Sequence, residues 1–324
     1  MTNGIFIGRF QPAHAGHISA IRQAAKQCNT LLVLVGSANQ CPSIKNPFSY
    51  IERVSFLQHK LSDCNNVYFA PLNDYRYNHA RWINDVVETA NYYFPPDNIT
   101  IFGHQKEGND YLSWFPSWKY QNIESEHDIS GTQVRDELFY SGSELIPATV
   151  RADWTYYRDE QRRFYFYPFP ATLNFNCADS VVTCLGHVLL IQRKFSPGKG
   201  AWALPGGFKN ADETFETCAL REIREETNLR VSPKVLRGSI KTSKLYDDPT
   251  RSFGIPRNTM AYHIDIAPDA DGSLPRANGT DDASEAKWVL LSDVMSPNYQ
   301  LYDDHRDIIS DLTGIYQSPA FPRL

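Results

Sequence analysis

Glycines and histidines stand close together near the start of the chain, in the segment Gly8–His17, which reads Gly-Arg-Phe-Gln-Pro-Ala-His-Ala-Gly-His. The segment follows a short apolar run, Ile5–Ile7, which predicts a buried strand that ends in a glycine-bounded loop. Glycine allows the backbone to approach an anion closely. The imidazoles of His14 and His17 are about one helical turn apart and can reach the same group of oxygen atoms. The segment therefore predicts a phosphate-binding loop.

A second group of chemically active residues consists of carboxylates about two hundred residues downstream. On a helix predicted over Thr214–Thr227, Glu222 lies three residues before Glu225 and four before Glu226, so the three carboxylates share one face. Like charges at this spacing repel by roughly 0.2–0.5 kcal/mol per pair. Arg221, one turn before Glu225, can orient it. A hard divalent cation, Mg²⁺ or Mn²⁺, takes oxygen ligands and would neutralise the repulsion, so the spacing predicts a metal site.

Strand and helix patterns alternate over the first 150 residues. The predicted strands are Ile5–Ile7, Leu31–Val35, Val67–Ala70 and Ile99–Phe102, and the predicted helices are His17–Lys26, Ile51–Leu61 and Ala80–Tyr92. Such alternation, with glycine at strand ends, is typical of a doubly wound parallel sheet. In these sheets a ligand binds at the carboxyl ends of the strands, where the loop at Gly8 begins.

The length of 324 residues favours two domains, because single cores rarely grow beyond roughly 250–300 residues. We predict a first domain over 1–150 and a second over 171–324. Between them, 151–170 is dense in Tyr, Arg, Phe and Pro and is a poor template for a helix or strand, so we expect a packed linker there. Four strands are predicted around the carboxylate helix of the second domain, at Ser180–Cys184, His187–Gln192, Thr259–Ile266 and Ala286–Leu291.

The composition excludes several classes of protein. A net charge of −5 argues against a surface that binds nucleic acid. No apolar run approaches the roughly 20 residues that span a bilayer, and the first residues lack the layout of a signal peptide. The six cysteines contain no Cys-x-x-Cys pair, which favours reduced thiols over a disulfide framework. We therefore expect a soluble cytoplasmic protein without a membrane or nucleic-acid partner, and the oligomeric state, a homo-oligomer included, is left open.

The N-terminal segment Gly8–His17, together with Ile-Ser-Gly-Thr-Gln-Val-Arg at Ile129–Arg135, resembles the nucleotidyltransferase superfamily. The resemblance implies a Rossmann-like fold in which ATP is the nucleotide donor. Enzymes that transfer an adenylyl group act mainly by positioning and by electrostatic stabilisation. The catalytic residues that it implies are His14, His17 and Arg135. The residues that it implies for binding ATP and its phosphates are Gly8, Arg9, Phe10, Gly16, Ser130, Thr132 and, at a predicted strand end, Lys106.

Two further segments, Arg81–Val86 and Ile44–Phe48, resemble the branch of this superfamily that adenylylates nicotinamide mononucleotide (NMN). In that branch a tryptophan at the position of Trp82 stacks on the nicotinamide ring. A cationic ring over an indole face is favoured by roughly 0.5–2 kcal/mol. The alternative is that Trp82 belongs to the core, as a tryptophan in a helical pattern usually does.

The segment Pro205–Leu229 resembles the Nudix box at every position except Asn228, where the family has glycine. We expect that glycine to end the helix in a left-handed conformation. Asn tolerates this conformation best after Gly, so we expect Asn228 to cost the domain little stability. The resemblance implies an α+β domain with a mixed sheet between helices. It implies Glu225 and Glu226 as catalytic residues. The metal ligands that it implies are Glu222, Glu225, Glu226 and, as an additional candidate, Glu285.

The flanks of the box resemble Nudix enzymes that split ADP-ribose. The similar segments are Ile191–Gly207 and Asp247–Ser252. The residues that the resemblance implies for binding ADP-ribose are Arg193, Gly207, Arg251 and Arg257. After Ser252 this sequence keeps only Arg257 where those relatives have a second arginine-rich step.

Over nearly its whole length the chain resembles bifunctional NMN adenylyltransferase/Nudix hydrolases of bacteria. The resemblance implies ATP, NMN, NAD⁺ and ADP-ribose as ligands, with Mg²⁺ or Mn²⁺ as cofactor. The first half would make NAD⁺ and pyrophosphate, and the second would cleave ADP-ribose to AMP and ribose 5-phosphate. The alternatives are another acceptor, such as phosphopantetheine or flavin mononucleotide, and a Nudix half that acts on NADH or dinucleoside polyphosphates. A Nudix half that only senses ADP-ribose is a third alternative, although all the box glutamates are present.

Overall fold

The computed structural model describes residues 2–104, 114–124, 129–166, 173–280, 283–296 and 299–316. The described chain forms an N-terminal unit within 2–147 and a C-terminal unit within 148–316. No helix in the described ranges is long and apolar enough to cross a membrane. No disulfide joins any two of the six cysteines, all of which lie in those ranges.

The N-terminal unit is an open sheet with helices between its strands. Its strands are β1 (Asn3–Gly8), β2 (Thr30–Val35), β3 (Val67–Pro71), β4 (Ile99–Gly103) and β5 (Lys119–Asn122). Its helices are α1 (Ala15–Ala25), α2 (Tyr50–Lys60), α3 (His79–Tyr93) and α4 (Gly131–Tyr140), with a 3₁₀ turn at Pro96–Asn98. The strand order is β3-β2-β1-β4-β5 and each of these pairings is parallel, which confirms the predicted Rossmann-like sheet.

Helices cover both faces of this sheet, and β2 shows why. Leu31 and Val33 pack with residues of α1 and α2 on one face, while Leu32 and Leu34 pack with Val86 of α3 on the other. Each of these side chains is fully buried. A continuous apolar run, rather than an alternating one, is what a strand buried on both faces requires.

The C-terminal unit has a mixed sheet. Its strands are β6 (Phe175–Cys184), β7 (His187–Arg193), β8 (Trp202–Ala203), β9 (Gly206–Phe208), β10 (Ile240–Tyr246), β11 (Arg257–Asp265) and β12 (Ala283–Leu290). Its helices are α5 (Ala148–Arg163), α6 (Phe215–Thr227), α7 (Pro233–Gly238), α8 (Leu291–Val294) and α9 (His305–Thr313). The order is β10-β11-β6-β7-β12, with β8 on β7 and β9 on β6. The pairing of β11 with β6 is parallel and the others are antiparallel, as expected for the mixed sheet of a Nudix domain.

The prediction that 151–170 lacks a regular helix is wrong over its first part, because α5 runs from Ala148 to Arg163. The helix buries Val150, Asp153, Tyr157 and Glu160, which are spaced by three or four residues and so form one face. Two of these four residues are acidic, so a search for apolar periodicity misses the face. Residues 167–172 of the predicted linker lie outside the described ranges.

Candidate functional site

The loop after β1 depends on a close contact between Gly8 and Phe10. Phe10 has a φ of +54° and is 1% exposed. A Cβ at residue 8 would lie 2.6 Å from the Phe10 ring, so only glycine fits there. The Phe10 ring also packs edge-on against His17, with 5.0 Å between ring centroids. Phe10, predicted to bind ATP, thus lies in the core beneath the loop and supports His17.

The two predicted histidines lie side by side where α1 begins. His14 is the residue before α1 and His17 lies in its first turn, with Gly16 between them. Their ring centroids are 3.7 Å apart. The fold therefore presents both imidazoles at one place, as the spacing predicts.

The second predicted phosphate motif lies against the first. A Cβ at Gly131, the first residue of α4, would be 3.9 Å from His14 Nε2. Arg135 of α4 donates to the Gln11 carbonyl (3.0 Å) and to Thr132 Oγ1 (3.3 Å). Ser130 caps α4 by accepting a hydrogen bond from the Gln133 N–H (3.1 Å). The amino end of a helix, which favours anions, therefore lies beside the histidines.

Arginines surround the loop, and their charges repel one another. Burial, and after it the charge of Arg9, lowers the pKa of Arg135. Burial also lowers the pKa of Arg53 to about 10, and here too the charge of Arg9 contributes. Arg53 donates to the carbonyls of Arg9 and Gly36, each at 2.6 Å, and so joins the carboxyl ends of β1 and β2. A polyanion such as a triphosphate would relieve this repulsion.

Trp82 lies in the first turn of α3, beside other aromatic side chains. Its ring centroid is 5.9 Å from that of Trp114 and 6.3 Å from that of Phe115. It packs against the core under α3 but is only partly buried. The stacking of Trp82 on nicotinamide stays a prediction. Lys106 lies outside the described residues.

In the C-terminal unit, Arg221 organises the carboxylates of the predicted Nudix box. Its guanidinium donates to both carboxylate oxygens of Glu213, at 3.1 and 2.7 Å. The same group donates to Glu222 Oε1 (2.7 Å) and Glu225 Oε2 (2.9 Å). Its fourth contact is the Phe208 carbonyl (3.1 Å). The predicted contact of Arg221 with Glu225 is therefore present, and three acidic residues share one cation.

Glu226 is the most buried of the three clustered glutamates on α6. Its Oε2 accepts a hydrogen bond from the Gly206 N–H at 2.9 Å. Burial raises the pKa of Glu226 to about 8, and the nearby charges of Glu222 and Asp179 act in the same direction. Burial likewise raises the pKa of Glu222. Burial is the largest cause for both carboxylates, and it raises the pKa of Glu222 although Arg221 binds this group.

Gly207 leaves space for the carboxylate of Glu222. A Cβ at residue 207 would lie 2.4 Å from Glu222 Oε1, so a side chain there would displace this carboxylate from its place beside Arg221. At the other end of α6, Asn228 has φ 43° and ψ 36°, which is the left-handed conformation that its position in the box predicts. The one departure from the motif is thus accommodated without a change of backbone.

The carboxylates on α6 offer the oxygen ligands that a hard divalent cation prefers. In this structure Arg221 binds two of them, Glu222 and Glu225. In the described ranges no three His, Cys, Asp or Glu side chains are grouped closely enough to hold a metal ion. Oxygen ligands and excess negative charge at Glu222 and Glu226 are what Mg²⁺ or Mn²⁺ selects. Glu285 is exposed on β12, and its backbone lies beside Gly279. The next residue, Thr280, connects this segment to α6, because its N–H donates to the Glu226 carbonyl (3.1 Å).

The arginines predicted to bind ADP-ribose make contacts within the unit. Arg251 forms a two-point ion pair with Asp304 (2.9 and 2.8 Å), with both groups buried. Arg257 forms an ion pair with Glu160 of α5. Arg193 donates to the Pro197 carbonyl (2.7 Å) and lies over the Tyr302 ring. Their roles in binding ADP-ribose stay predictions.

Two residues that hold the loop beneath the carboxylates, His305 and Asp179, are not predicted from the sequence. His305 Nδ1 accepts from the Leu204 N–H at 2.9 Å, and nothing in its acidic neighbourhood indicates this role. Asp179 is buried, accepts from Thr259 Oγ1 (2.7 Å) and lies close to Gly206. Asp179 is the one charged residue of strand β6, and a charge inside a buried strand is the sequence feature that could have indicated it.

Comparison with known families and proteins agrees with this division. Residues 5–137 match the cytidylyltransferase-like family, and residues 177–312 match the NUDIX domain family. The nicotinamide/nicotinic acid mononucleotide adenylyltransferase of Acinetobacter baylyi is 34% identical over 143 residues, which cover 43% of this chain and 75% of that protein. The ADP-ribose pyrophosphatase of Methanocaldococcus jannaschii is 35% identical over 149 residues, 46% of this chain and 75% of that protein.

Solved structures extend the similarity over both units. A bifunctional NMN adenylyltransferase/ADP ribose pyrophosphatase from Francisella tularensis is 30% identical, with a TM-score of 0.86, and the match covers 97% of this chain and 99% of that one. A second such structure from the same organism, complexed with AMP and a manganese ion, is 28% identical, with a TM-score of 0.85 and the same coverage. The similarity therefore includes the arrangement of both sites along a single chain.

Proposed function

This chain belongs to the family of bifunctional NMN adenylyltransferase/ADP-ribose pyrophosphatases, and we propose how its residues divide the two reactions. The chain is a nicotinamide-nucleotide adenylyltransferase and a Nudix ADP-ribose pyrophosphatase, and its Nudix unit depends on a divalent metal. The observation that supports the division is that each unit brings its own predicted motif residues together.

In the N-terminal unit, the 5′-phosphate of NMN attacks the α-phosphorus of ATP, and pyrophosphate leaves. His14 and His17 contact the phosphates, with the loop Gly8–His17 around them. Arg135 and the amino end of α4, with Ser130 and Thr132, hold the β- and γ-phosphates and stabilise the charge of the leaving pyrophosphate. The repulsion among the arginines supports this assignment, because it favours the polyanion over the empty loop.

Other positions complete the nucleotide site. Arg9, with its guanidinium near Arg53 and Arg135, binds phosphate oxygens. Gly16 permits close approach of the chain between the histidines, and Lys106 adds a phosphate contact. Trp82 stacks on the nicotinamide ring of NMN. Its partial burial leaves part of the indole open for such a contact.

In the C-terminal unit, water cleaves the diphosphate of ADP-ribose to AMP and ribose 5-phosphate. Glu222, Glu225 and Glu226 would hold the divalent cation, with Glu285 as a further ligand. The cation, when bound, supplies charge stabilisation at the diphosphate and activates the attacking water. Glu225 and Glu226 are the catalytic residues, and Arg221 fixes the position of Glu225.

The remaining assignments concern the ADP-ribose site, the metal and the cellular compartment. Gly207 gives the diphosphate access to the carboxylates, and Arg193, Arg251 and Arg257 shape the ADP-ribose site. We take Mg²⁺ to be the metal used in the cell. The enzyme works in the cytoplasm, where ATP is available and thiols stay reduced.

Two incubations of the purified protein test the function. One contains NMN, ATP and Mg²⁺, and the other contains ADP-ribose with Mg²⁺, with Mn²⁺ or with a chelator. Chromatography should show NAD⁺ and pyrophosphate in the first, and AMP with ribose 5-phosphate in the second only when a metal is present.

Other outcomes would identify the alternatives. Absence of NAD⁺ with product formed from phosphopantetheine or flavin mononucleotide would overturn the choice of NMN. Faster hydrolysis of NADH or a dinucleoside polyphosphate would overturn ADP-ribose as the preferred substrate. Binding of ADP-ribose without turnover would indicate a sensor.

A further inference from the structure

A short segment before α9 runs beside β8 and the loop that follows it. The Trp202 N–H donates to the Gln300 carbonyl (2.9 Å), and the Tyr302 N–H donates to the Trp202 carbonyl (2.8 Å). The next contact uses a side chain, because the Leu204 N–H donates to His305 Nδ1 (2.9 Å). Leu204 and His305 are 1% and 6% exposed, so His305 supplies an acceptor at a place that water does not reach.

The protonation state of His305 follows from its donor. A backbone N–H donates to Nδ1, so this nitrogen carries no proton and the neutral ring has its proton on Nε2. Burial lowers the pKa of His305, which keeps the ring neutral near pH 7. The imidazole is therefore an acceptor for the Leu204 N–H under the conditions in which the enzyme works.

The loop Leu204–Gly206 leads from this contact to the carboxylates on α6. Pro205 has a fixed φ and no N–H, which limits the freedom of the loop. The peptide group that joins Pro205 to Gly206 is hydrogen-bonded on both sides. Its carbonyl accepts from the Ser180 N–H (2.9 Å), and its N–H donates to Glu226 Oε2 (2.9 Å). The direction of that N–H therefore determines where the Glu226 carboxylate lies.

Close packing leaves the loop no room to adjust. A Cβ at Gly206 would lie 2.2 Å from Asp179 Oδ1 and 2.5 Å from the Ala178 carbonyl oxygen, so the backbone lies directly on β6. A displacement at Leu204 cannot be absorbed at Gly206 and reaches Glu226 instead.

His305 is itself held in place by a buried ion pair. It is the first residue of α9, and Asp304 before it forms the two-point pair with Arg251 (2.9 and 2.8 Å). Both of these side chains are buried. The start of α9 is thus fixed before any ligand binds, as a residue that supports a site requires.

We infer that His305 is a positioning residue of the hydrolase, which holds the Glu226 carboxylate in place for the divalent cation through the loop Leu204–Gly206. The inference rests on the proposed metal site on α6. It also gives Arg251 a positioning role, exerted through Asp304. Loss of a group that orients a metal-binding carboxylate typically weakens metal binding or activity by roughly 10–100-fold. Because His305 acts through the backbone, we expect an effect at the lower end of this range.

The test measures Mn²⁺ binding by the full chain without ADP-ribose. Calorimetric titration of wild type and Glu226→Gln first identifies the site, which should be absent from the variant. His305→Leu removes the acceptor and should raise the Kd of this site for Mn²⁺ about tenfold. His305→Asn places an amide oxygen near the position of Nδ1, where it can accept from the Leu204 N–H, and should restore most of the affinity.

Kinetics separate positioning of Glu226 from contact with the substrate. At limiting Mn²⁺, His305→Leu should lower kcat for ADP-ribose hydrolysis about tenfold and leave KM for ADP-ribose unchanged, and the loss should shrink as Mn²⁺ is raised. His263→Leu is the matched control, because His263 is a partly buried histidine on β11 whose Nε2 lies 3.0 Å from Thr183 Oγ1. It should leave the Kd for Mn²⁺ unchanged, and NAD⁺ synthesis should be unchanged in all the histidine variants.

Several results would overturn the inference. Wild-type Mn²⁺ affinity in folded His305→Leu would do so, as would an equal loss in His305→Asn or a similar loss in His263→Leu. If thermal unfolding shows that His305→Leu does not fold, His305→Gln replaces it. Its amide oxygen lies one bond further from the backbone and misses the Leu204 N–H, so it should weaken Mn²⁺ binding where His305→Asn does not. Should wild type bind Mn²⁺ without hydrolysing ADP-ribose, the proposed reaction fails, and the Mn²⁺ titrations still decide the role of His305.

Discussion

Arg221 connects the carboxylates of the Nudix box. It contacts Glu213 at two points and also bonds Glu222 and Glu225, so a single guanidinium neutralises much of the charge that the box assembles. Two-point guanidinium–carboxylate pairs are strong because both hydrogen bonds carry charge. Glu213 thereby fixes Arg221, and Arg221 fixes the glutamates on α6.

Glu213→Gln tests this arrangement through the pH dependence of stability. Its hydrogen bonds with Arg221 lower the pKa of Glu213 from 4.5 to about 2. A depressed carboxyl pKa stabilises the fold above the unfolded value of 4.5, and this contribution is lost as the pH falls from 4.5 toward 2. Thermal unfolding from pH 7 to pH 2.5 should therefore show a lower Tm for the variant above pH 5 and a shrinking difference below it.

The control for this experiment is Glu216→Gln, three residues further along the chain, in the first turn of α6. Glu216 pairs with Arg237 at the surface, where ion pairs contribute little. Its substitution should change Tm less at every pH. A difference between wild type and Glu213→Gln that is the same at all pH values would contradict the role given to the Arg221 pair.

At the scale of elements, the end of α6 shows how the Nudix box tolerates Asn228 in place of glycine. Asn228 occupies the left-handed conformation, and its N–H donates to the Arg224 carbonyl (3.1 Å). Asn is one of the few residues with a side chain that adopts this conformation routinely. The helix therefore ends at the same place that a glycine would give.

Two substitutions of Asn228, to Gly and to Ala, should change the free energy of unfolding in opposite directions. Asn228→Gly removes the residual strain and should raise the free energy of unfolding of the C-terminal unit by a few tenths of a kcal/mol. Asn228→Ala places a Cβ without a compensating amide in the left-handed region and should lower it by about 1 kcal/mol. Urea unfolding measures both. A change in the same direction for the two variants would show that the backbone conformation does not control stability here.

The sequence predicts elements well where apolar patterns are local, and poorly where burial depends on distant partners. Strands β1 to β4 of the N-terminal unit follow from short apolar runs, most of them with glycine at the end. Strand β5 does not, because its sequence, Lys119–Asn122, is polar and exposed. By contrast, α5 buries Glu160, whose partner Arg257 lies 97 residues away. Arg251 likewise finds Asp304 at a separation of 53 residues. A local sequence pattern contains no information on such distant charge pairs, so it predicts neither α5 nor the buried ion pairs of Arg251 and Arg257.

On the scale of the whole molecule, the chain contains two units with separate cores and separate chemistry. The apolar clusters around β1 and β2 involve residues of the N-terminal unit, and those around α6 involve residues of the C-terminal unit. A substitution in one site should therefore leave the chemistry of the other intact.

Reciprocal variants test this independence. His17→Ala should lower NAD⁺ synthesis by about 100-fold or more, because a group that stabilises transition-state charge is lost, and should leave ADP-ribose hydrolysis unchanged. Glu226→Gln should lower ADP-ribose hydrolysis and leave NAD⁺ synthesis unchanged, since it removes a carboxylate from the metal site. Both rates are measured on each protein, and Glu216→Gln serves as the control on α6. Loss of both activities in either folded variant would show that the two sites are coupled.

The ion pair between Glu160 and Arg257 also dictates where this protein can be divided. A fragment that starts at 171, the predicted start of the second domain, would lack α5 and so leave the Arg257 guanidinium without its acidic partner. Glu160 and Arg257 are both buried in the intact unit, so the fragment would lose this ion pair together with the cover that α5 gives it. It would also lose Tyr157, whose hydroxyl shares a hydrogen bond with that of Tyr302 (2.9 Å). Expression of the hydrolase alone should therefore begin upstream of Ala148, and a shorter fragment is expected to aggregate rather than fold.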